Sequence, residues 1–100
     1  MIGRRVYAGA NGVLRLAPGD YGQDPQDSGA WHARPPKVEL GDAYTDAHPL
    51  LGSLSQHEVV EHEDGTITVS PSILIEYSWG DPPRHISWHG FLERGVWRQA

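Results

Sequence analysis

Six histidines in 100 residues make metal binding the first chemistry to consider. His57 and His62 bracket the run HEVVEH, but zinc proteases carry HExxH on a helix, with the two histidines one turn apart. Here the spacing is five and the surrounding residues are typical of a strand, so the two rings would point to opposite faces. His85 and His89 would share a strand face, yet lie about 13 Å apart along the chain. Neither pair by itself predicts a metal site.

Two other arrangements of polar side chains remain open as chemistry. His62, His89 and Glu61 could hold a zinc ion if neighbouring strands brought them together, which would suit a small metal-binding hydrolase on the central and C-terminal hairpins. Glu58, Glu61, Glu63 and Asp64 could supply paired carboxylates for glycoside hydrolysis, although their place on an exposed hairpin face explains these charges better.

The nucleophile and phosphate motifs are missing from the sequence. There is no cysteine, no G-x-S-x-G elbow and no S-x-x-K. The GANG run that starts at Gly9 matches neither the Walker nor the dinucleotide-binding pattern. We therefore expect a non-enzymatic protein without a cofactor.

Aromatic residues cluster near the C-terminus, at Trp79, Trp88, Phe91 and Trp97. They could stack on a ligand or form a contact patch for a protein, or they could be the core of a small β domain. Strand alternation predicts Trp88 and Leu92 on one face and Phe91 and Trp97 on the other. We expect most of them in the core and Trp79, in its Gly-Pro loop, to be exposed. The candidate binding residues are Trp79, Trp88, His89, Phe91 and Trp97.

Composition and charge exclude several classes of function. The formal net charge is −5, with seven Arg and one Lys scattered along the chain, which disfavours nucleic-acid binding. No apolar run is long enough to span a bilayer, and the absence of cysteine excludes disulfides and thiolate metal sites. These features predict a soluble, cytoplasmic protein with no membrane partner.

The central hairpin is the strongest structural signal. HEVVEHE and TITVS flank Asp64-Gly65, a dipeptide typical of a two-residue type I′ turn. That register would place Val60 opposite Val69 and His62 opposite Ile67, with all four facing the core.

The remaining segments also favour strands and turns over helices. Arg4 to Ala17 suggests a first hairpin, 18–30 and 78–84 suggest surface loops, and Trp31–Arg34 and Lys37–Leu40 suggest short strands. A helical turn within 41–54 is opposed by Pro49 and Gly52. Ile86 to Leu92 and Val96 to Arg98 predict a last hairpin around the three-residue loop Glu93-Arg94-Gly95, with Leu92 opposite Val96 and Phe91 opposite Trp97. The fold class expected for this single domain, 1–100, is mainly β: a small antiparallel sandwich or partly open barrel built of hairpins.

The runs TVSPSILI, from Thr68 to Ile75, and WHGFLERGVW, from Trp88 to Trp97, carry a family resemblance. They resemble a family of small uncharacterised proteins, frequent in bacteriophages and mobile elements, whose C-terminal halves contain S-P-S-[IL], then His-x-[FW], then Gly-x-[VIW]. Many members have a cysteine beside this histidine, where the present chain has Trp88. The resemblance implies a phage accessory protein in which Ser70, Ser72 and His89 are the polar motif positions.

Together these features predict a protein that acts by binding a protein partner, or by self-association. It would be an inhibitor of a host system or a virion component, located in the host cytoplasm or in the virion. The acidic charge would suit docking to a basic partner.

Overall fold

The computed structural model describes residues 1–36 and 52–100, which form two four-stranded sheets. The first sheet contains β1 (Arg4–Arg5), β2 (Asp20–Asp24), β3 (Ala30–Ala33) and β4 (Gly52–Ser53), in that order, with a short 3-10 helix at Pro25–Asp27. The second sheet contains β5 (Glu58–Glu61), β6 (Ile67–Trp79), β7 (Arg84–Glu93) and β8 (Val96–Gln99), also in chain order.

The expected fold class is confirmed. The second sheet is an antiparallel meander, and in the first only the β1–β2 pair is parallel. The two sheets do not close into a barrel, so the sandwich alternative describes the architecture.

The predicted N-terminal hairpin and the predicted loop at 18–30 are both wrong. β1 pairs in parallel with β2, a strand inside the supposed loop, and Val13 to Ala17 form no strand. The reason is a close approach that needs glycine: a Cβ on Gly22 would collide with the backbone oxygen of Val6. Because the strand needs this glycine, its composition resembles that of a turn. Asp20, Tyr21 and Gly22 are nevertheless buried in β2.

The turn of the central hairpin is one residue longer than predicted. His62 N–H donates to Thr66 O and Gly65 N–H to His62 O, so the loop is the three-residue Glu63-Asp64-Gly65, with Gly65 at φ 86°. Val59 is therefore paired with Val69, and Val60 with Thr68. Because side chains alternate, Val59 packs on the core with Ile67 and Val69, whereas Val60 and His62 belong to the outer face.

The turn of the last hairpin is one residue shorter than predicted. Its turn is the two-residue Arg94-Gly95, with φ of 47° and 75°, and Leu92 pairs with Trp97 rather than with Val96. Positive φ at both positions is the type I′ geometry that had been expected at Asp64-Gly65. Trp97 therefore joins Leu92 on the inner face, and Phe91, paired with Arg98, is left on the outer face.

The core lies between the two sheets. Its buried residues are Tyr21, Ala33, Leu54, Ile67, Val69, Ile73, Ile75, Trp88, Leu92 and Trp97. The Trp88 and Trp97 rings meet edge to face with centroids 5.2 Å apart. Trp97 Nε1 also donates to Gly19 O at 2.9 Å, which joins the second sheet to the turn preceding β2.

β6 and β7 extend beyond the other strands as a two-stranded arm. They remain paired as far as Trp79 and Arg84, so the predicted loop at 78–84 is reduced to a turn at 80–83. The strand expected at Lys37–Leu40 and most of the helical turn considered at 41–54 lie outside the described residues. Among the residues that are described, no helix is long and apolar enough to cross a membrane.

Replacing Trp97 tests the connection between the sheets. Trp97→Phe removes the donor to the buried Gly19 carbonyl and part of the ring volume, so we expect the free energy of unfolding to fall by about 2–4 kcal/mol. The neighbouring exposed Val96→Thr keeps a β-branched side chain and should change it by less than about 0.5 kcal/mol. Urea denaturation checks both variants, and equal effects would contradict the packing described.

Asparagine at Arg94 tests the turn type. Because asparagine tolerates left-handed φ and Asn-Gly favours type I′ turns, Arg94→Asn should stabilise the protein by about 0.5–1 kcal/mol. Glu63, which does not have positive φ, provides the control, and Glu63→Asn should give no comparable gain. A three-residue loop at 93–95 would instead leave Arg94→Asn without benefit in thermal unfolding.

Candidate functional site

A β-bulge in β6 shapes the outer face of the second sheet. Val69 pairs with Leu92 and Ile73 with Gly90, so three residues of β6, Ser70 to Ser72, lie opposite the single residue Phe91. The Ser70-Pro71 peptide bond is cis. Proline has no N–H to give to the ladder, which makes a bulge the natural place for it within a long strand.

The bulge forms one wall of an open groove of about 680 Å³. Its apolar surface comes from Val60, Pro71 and Phe91, with hydroxyl groups contributed by Thr68, Ser70 and Ser72. His62, Glu93 and Arg94 line its remaining side. Strand alternation explains this set, because it places Val60 and Thr68 on the outer face as a cross-strand pair.

Hydrogen bonds hold one end of the groove in place. Thr68 Oγ1 accepts from the Arg94 backbone N–H at 3.0 Å and lies 2.7 Å from His62 Nε2. Thr68 thus connects the β5–β6 hairpin to the β7–β8 turn, so the end of the groove is held by a network rather than by a single side chain.

Two histidines hold Ser72 at the other end. His89 Nε2 is 2.9 Å from Ser72 Oγ, and His57 Nε2 donates to the Ser72 carbonyl at 3.0 Å. Of the motif positions carried over from the family resemblance, Ser72 and His89 are therefore in contact, while Ser70 lies beside them on the groove wall. His57 was not singled out from the sequence, since its contact with the bulge depends on the fold.

The aromatic candidates divide between core and groove. Trp88 and Trp97 are 2% and 3% exposed, so their rings are inaccessible to a partner, which corrects their assignment as binding residues. Phe91 is half-buried and lines the groove, with the Arg98 guanidinium 4.4 Å above its ring centroid. His89 is exposed, and its ring is 6.5 Å from that of Phe91. The side chain of Trp79 lies outside the described part of the structure.

The alternative metal site does not form. Glu61 pairs with Arg5 at 2.8 Å, whereas His62 bonds to Thr68 and His89 to Ser72. Across residues 1–36 and 52–100, no three histidine, aspartate or glutamate side chains are grouped so as to hold a metal ion. The observed register places His62 on the outer face with His89, but the two rings bond to different hydroxyl groups, Thr68 Oγ1 and Ser72 Oγ.

Two serine–histidine contacts raise the question of nucleophilic chemistry. Besides the Ser72–His89 contact, Ser78 Oγ is 2.8 Å from His85 Nδ1, and Glu76 Oε1 is 3.7 Å from His85 Nε2. The side chains of His85 and Glu76 are both more than half exposed. A catalytic serine needs its base to be oriented by a third group at hydrogen-bond distance, in a site that excludes water. On this open strand surface we interpret both pairs as cross-strand contacts.

Arg5 fixes the acidic hairpin next to the groove. Its guanidinium lies 4.5 Å from the ring centroids of both Tyr7 and Trp31, and it also donates to Glu61 and to the carbonyl of Gly65. The sequence shows only an adjacent Arg pair here, because every one of these partners except Tyr7 is distant along the chain.

The turn of this hairpin carries a fully charged carboxylate. Asp64 Oδ1 accepts from Thr66 N–H at 3.0 Å and from Thr66 Oγ1 at 2.6 Å. These hydrogen bonds to the charged form lower the pKa of Asp64. Glu61, His62, Glu63, Asp64 and Arg94 line a second depression of about 430 Å³, continuous with the groove at His62 and Arg94.

The lowered pKa of Asp64 predicts a pH effect on stability. Since the pKa is lower in the folded state, the carboxylate stabilises the fold above its unfolded pKa, and this is lost as the pH falls below about 4. Asp64→Asn keeps an oxygen acceptor but does not titrate. We expect the variant to be less stable than the wild type at pH 7, with the difference shrinking toward pH 3 in urea titrations. A difference independent of pH would show that the Asp64 charge is not involved.

Comparisons with protein-family models, with curated proteins and with solved structures give no match. The groove and the acidic hairpin beside it are therefore the features from which a function can be inferred.

Proposed function

We propose that this protein is a non-enzymatic binding module that docks a protein partner in the groove on the outer face of its second sheet. The observation that carries the proposal is the apolar surface that the β6 bulge leaves open to solvent. Val60 is 46% exposed there, beside Pro71 and Phe91. An apolar depression surrounded by polar groups is typical of an interaction site.

The polar groups of the groove favour binding over catalysis. Thr68 and Ser72 are held by histidines and by backbone groups, so the walls are preorganised before a partner arrives. Preorganised walls reduce the entropy lost on association. Neither His62 nor His89 contacts a carboxylate among the described side chains, as a general base oriented for catalysis would.

The resemblance to phage and mobile-element proteins supplies the biological setting of the proposal. A small acidic protein with a preformed groove suits an accessory role, in which it inhibits a host system or joins a virion through protein contacts. In either role we place it in the host cytoplasm or in the assembled particle.

A matched pair of valines tests the groove. Val60 on β5 and Val96 on β8 lie on opposite edges of the same sheet face and are 46% and 45% exposed, but only Val60 lines the groove. We expect peptides selected from a random display library against the wild type to bind Val96→Asp normally. The same peptides should bind Val60→Asp at least about ten-fold more weakly, because a charge desolvated in an apolar contact costs more than about 1.4 kcal/mol.

Two further measurements make the outcome decisive. Circular dichroism should show that both variants keep the wild-type fold, and amide chemical shifts should place the bound peptide at Val60, Thr68, Ser70 and Phe91. A selection that yields no binder, or binders that tolerate Val60→Asp, would overturn the proposed function.

A further inference from the structure

Carboxylates lie along the β5 side of the groove. Glu58 is on the outer face opposite Ser70, and Glu63 and Asp64 form the turn at the other end of the same hairpin. Val60 lies between them, so an apolar contact has negative charge on both sides of it along one strand edge.

Pairing within the chain decides how much of this charge is free. Arg5 neutralises Glu61 at 2.8 Å, and Arg98 pairs with Glu93 at 3.2 Å. Of the remaining groups that the structure describes around the groove and its neighbouring depression, three carboxylates (Glu58, Glu63 and Asp64) face one guanidinium, that of Arg94. The local excess is therefore two negative charges, and it has the same sign as the net charge of −5.

This charge argues against two possible occupants. An acidic segment would place like charges side by side, which costs affinity and slows association. A second copy of this chain would also carry a net charge of −5, so the long-range field opposes its approach. A basic segment instead gains from both the long-range field and the local carboxylates.

We propose that the partner of this groove is a basic protein segment, with an apolar side chain that packs on Val60, Pro71 and Phe91 and flanking Lys or Arg side chains that pair with Glu58, Glu63 and Asp64. This inference rests on the proposed function, since it names the chemistry of the partner in that same groove. The hydrogen bonds from Thr66 keep Asp64 ionised to a lower pH than an ordinary aspartate, because they lower its pKa.

Charge-reversed peptides test the inference. Each apolar centre obtained from the library selection is synthesised in two versions, one flanked by arginine and the other by glutamate, and titrated against the intact chain by fluorescence anisotropy. We expect the arginine version to bind at least about ten-fold more tightly, and to lose affinity between about 50 mM and about 500 mM NaCl as its charges are screened.

Two glutamine variants separate local pairing from overall charge. Glu63→Gln and Glu76→Gln each remove one negative charge from the same sheet, but Glu76 lies on the arm, away from the groove. Glu63→Gln should weaken the arginine peptide about three-fold, whereas Glu76→Gln should leave its affinity almost unchanged.

The possible outcomes distinguish the two levels of the proposal. If glutamate-flanked peptides bind the groove equally well, or if Glu63→Gln has no greater effect than Glu76→Gln, the basic partner is wrong while the groove remains a binding site. If the chain itself dimerises through Val60 and no peptide competes, a second copy is the occupant and the inference falls. If no peptide of either charge shifts the groove amides, the proposed function falls with it.

Discussion

The buried hydrogen bond from the Trp97 indole to the Gly19 carbonyl is the contact on which the rest of this fold depends. It joins the last strand of one sheet to the turn that begins β2 in the other. Gly3 lies so close to it that a Cβ there would be 2.7 Å from Trp97 Nε1 and 2.8 Å from Gly19 O. The N-terminal segment can bond to both sheets, through Gly3 N–H to Gly95 O and Arg4 N–H to Gly19 O, only because no side chain is present at Gly3.

Whether Trp97 reaches this position is decided by the turn that precedes it. The two-residue Arg94-Gly95 turn pairs Trp97 with Leu92, and both are buried. A turn longer by one residue would move every side chain of β8 to the opposite face, placing Trp97 in solvent. This register requires a left-handed conformation at Arg94, with φ 47°, which is unfavourable for a residue with a side chain. The free energy gained by burying Trp97 offsets that local strain.

Much of the β architecture could be predicted from the sequence, but the two turns could not be told apart. Asp64-Gly65 suits a type I′ turn, yet it equally suits a three-residue loop in which the Asp64 side chain accepts from Thr66 N–H. Glu93-Arg94-Gly95 favours the longer loop by its residue types, because a glycine at the end of three loop residues accepts the left-handed position of a G1 bulge. In each hairpin the register is set by which side chains pack in the core. The conformational preferences of the turn residues alone do not determine it.

β2 and Arg5 were missed for related reasons. The segment around Gly22 contains the glycines, aspartates and proline of a loop, because the strand needs a residue without a Cβ against Val6. Arg5 resembles any surface arginine until Trp31 and Glu61 are brought to it from distant parts of the chain. The groove itself depends on the bulge around Pro71: the sequence shows that proline, but it does not show the pairing of three residues of β6 against one of β7.

If the outer face binds a partner as proposed, its apolar groove must stay accessible in the free protein without promoting aggregation, and Arg98 limits the exposed apolar surface. Its guanidinium lies over the ring of Phe91 while it pairs with Glu93, so in the free protein the ring is partly covered by a charged group. Both members of that ion pair are more than 60% exposed, and such pairs contribute little to stability. A partner of the proposed groove would therefore displace Arg98 at small cost and reach the ring beneath it.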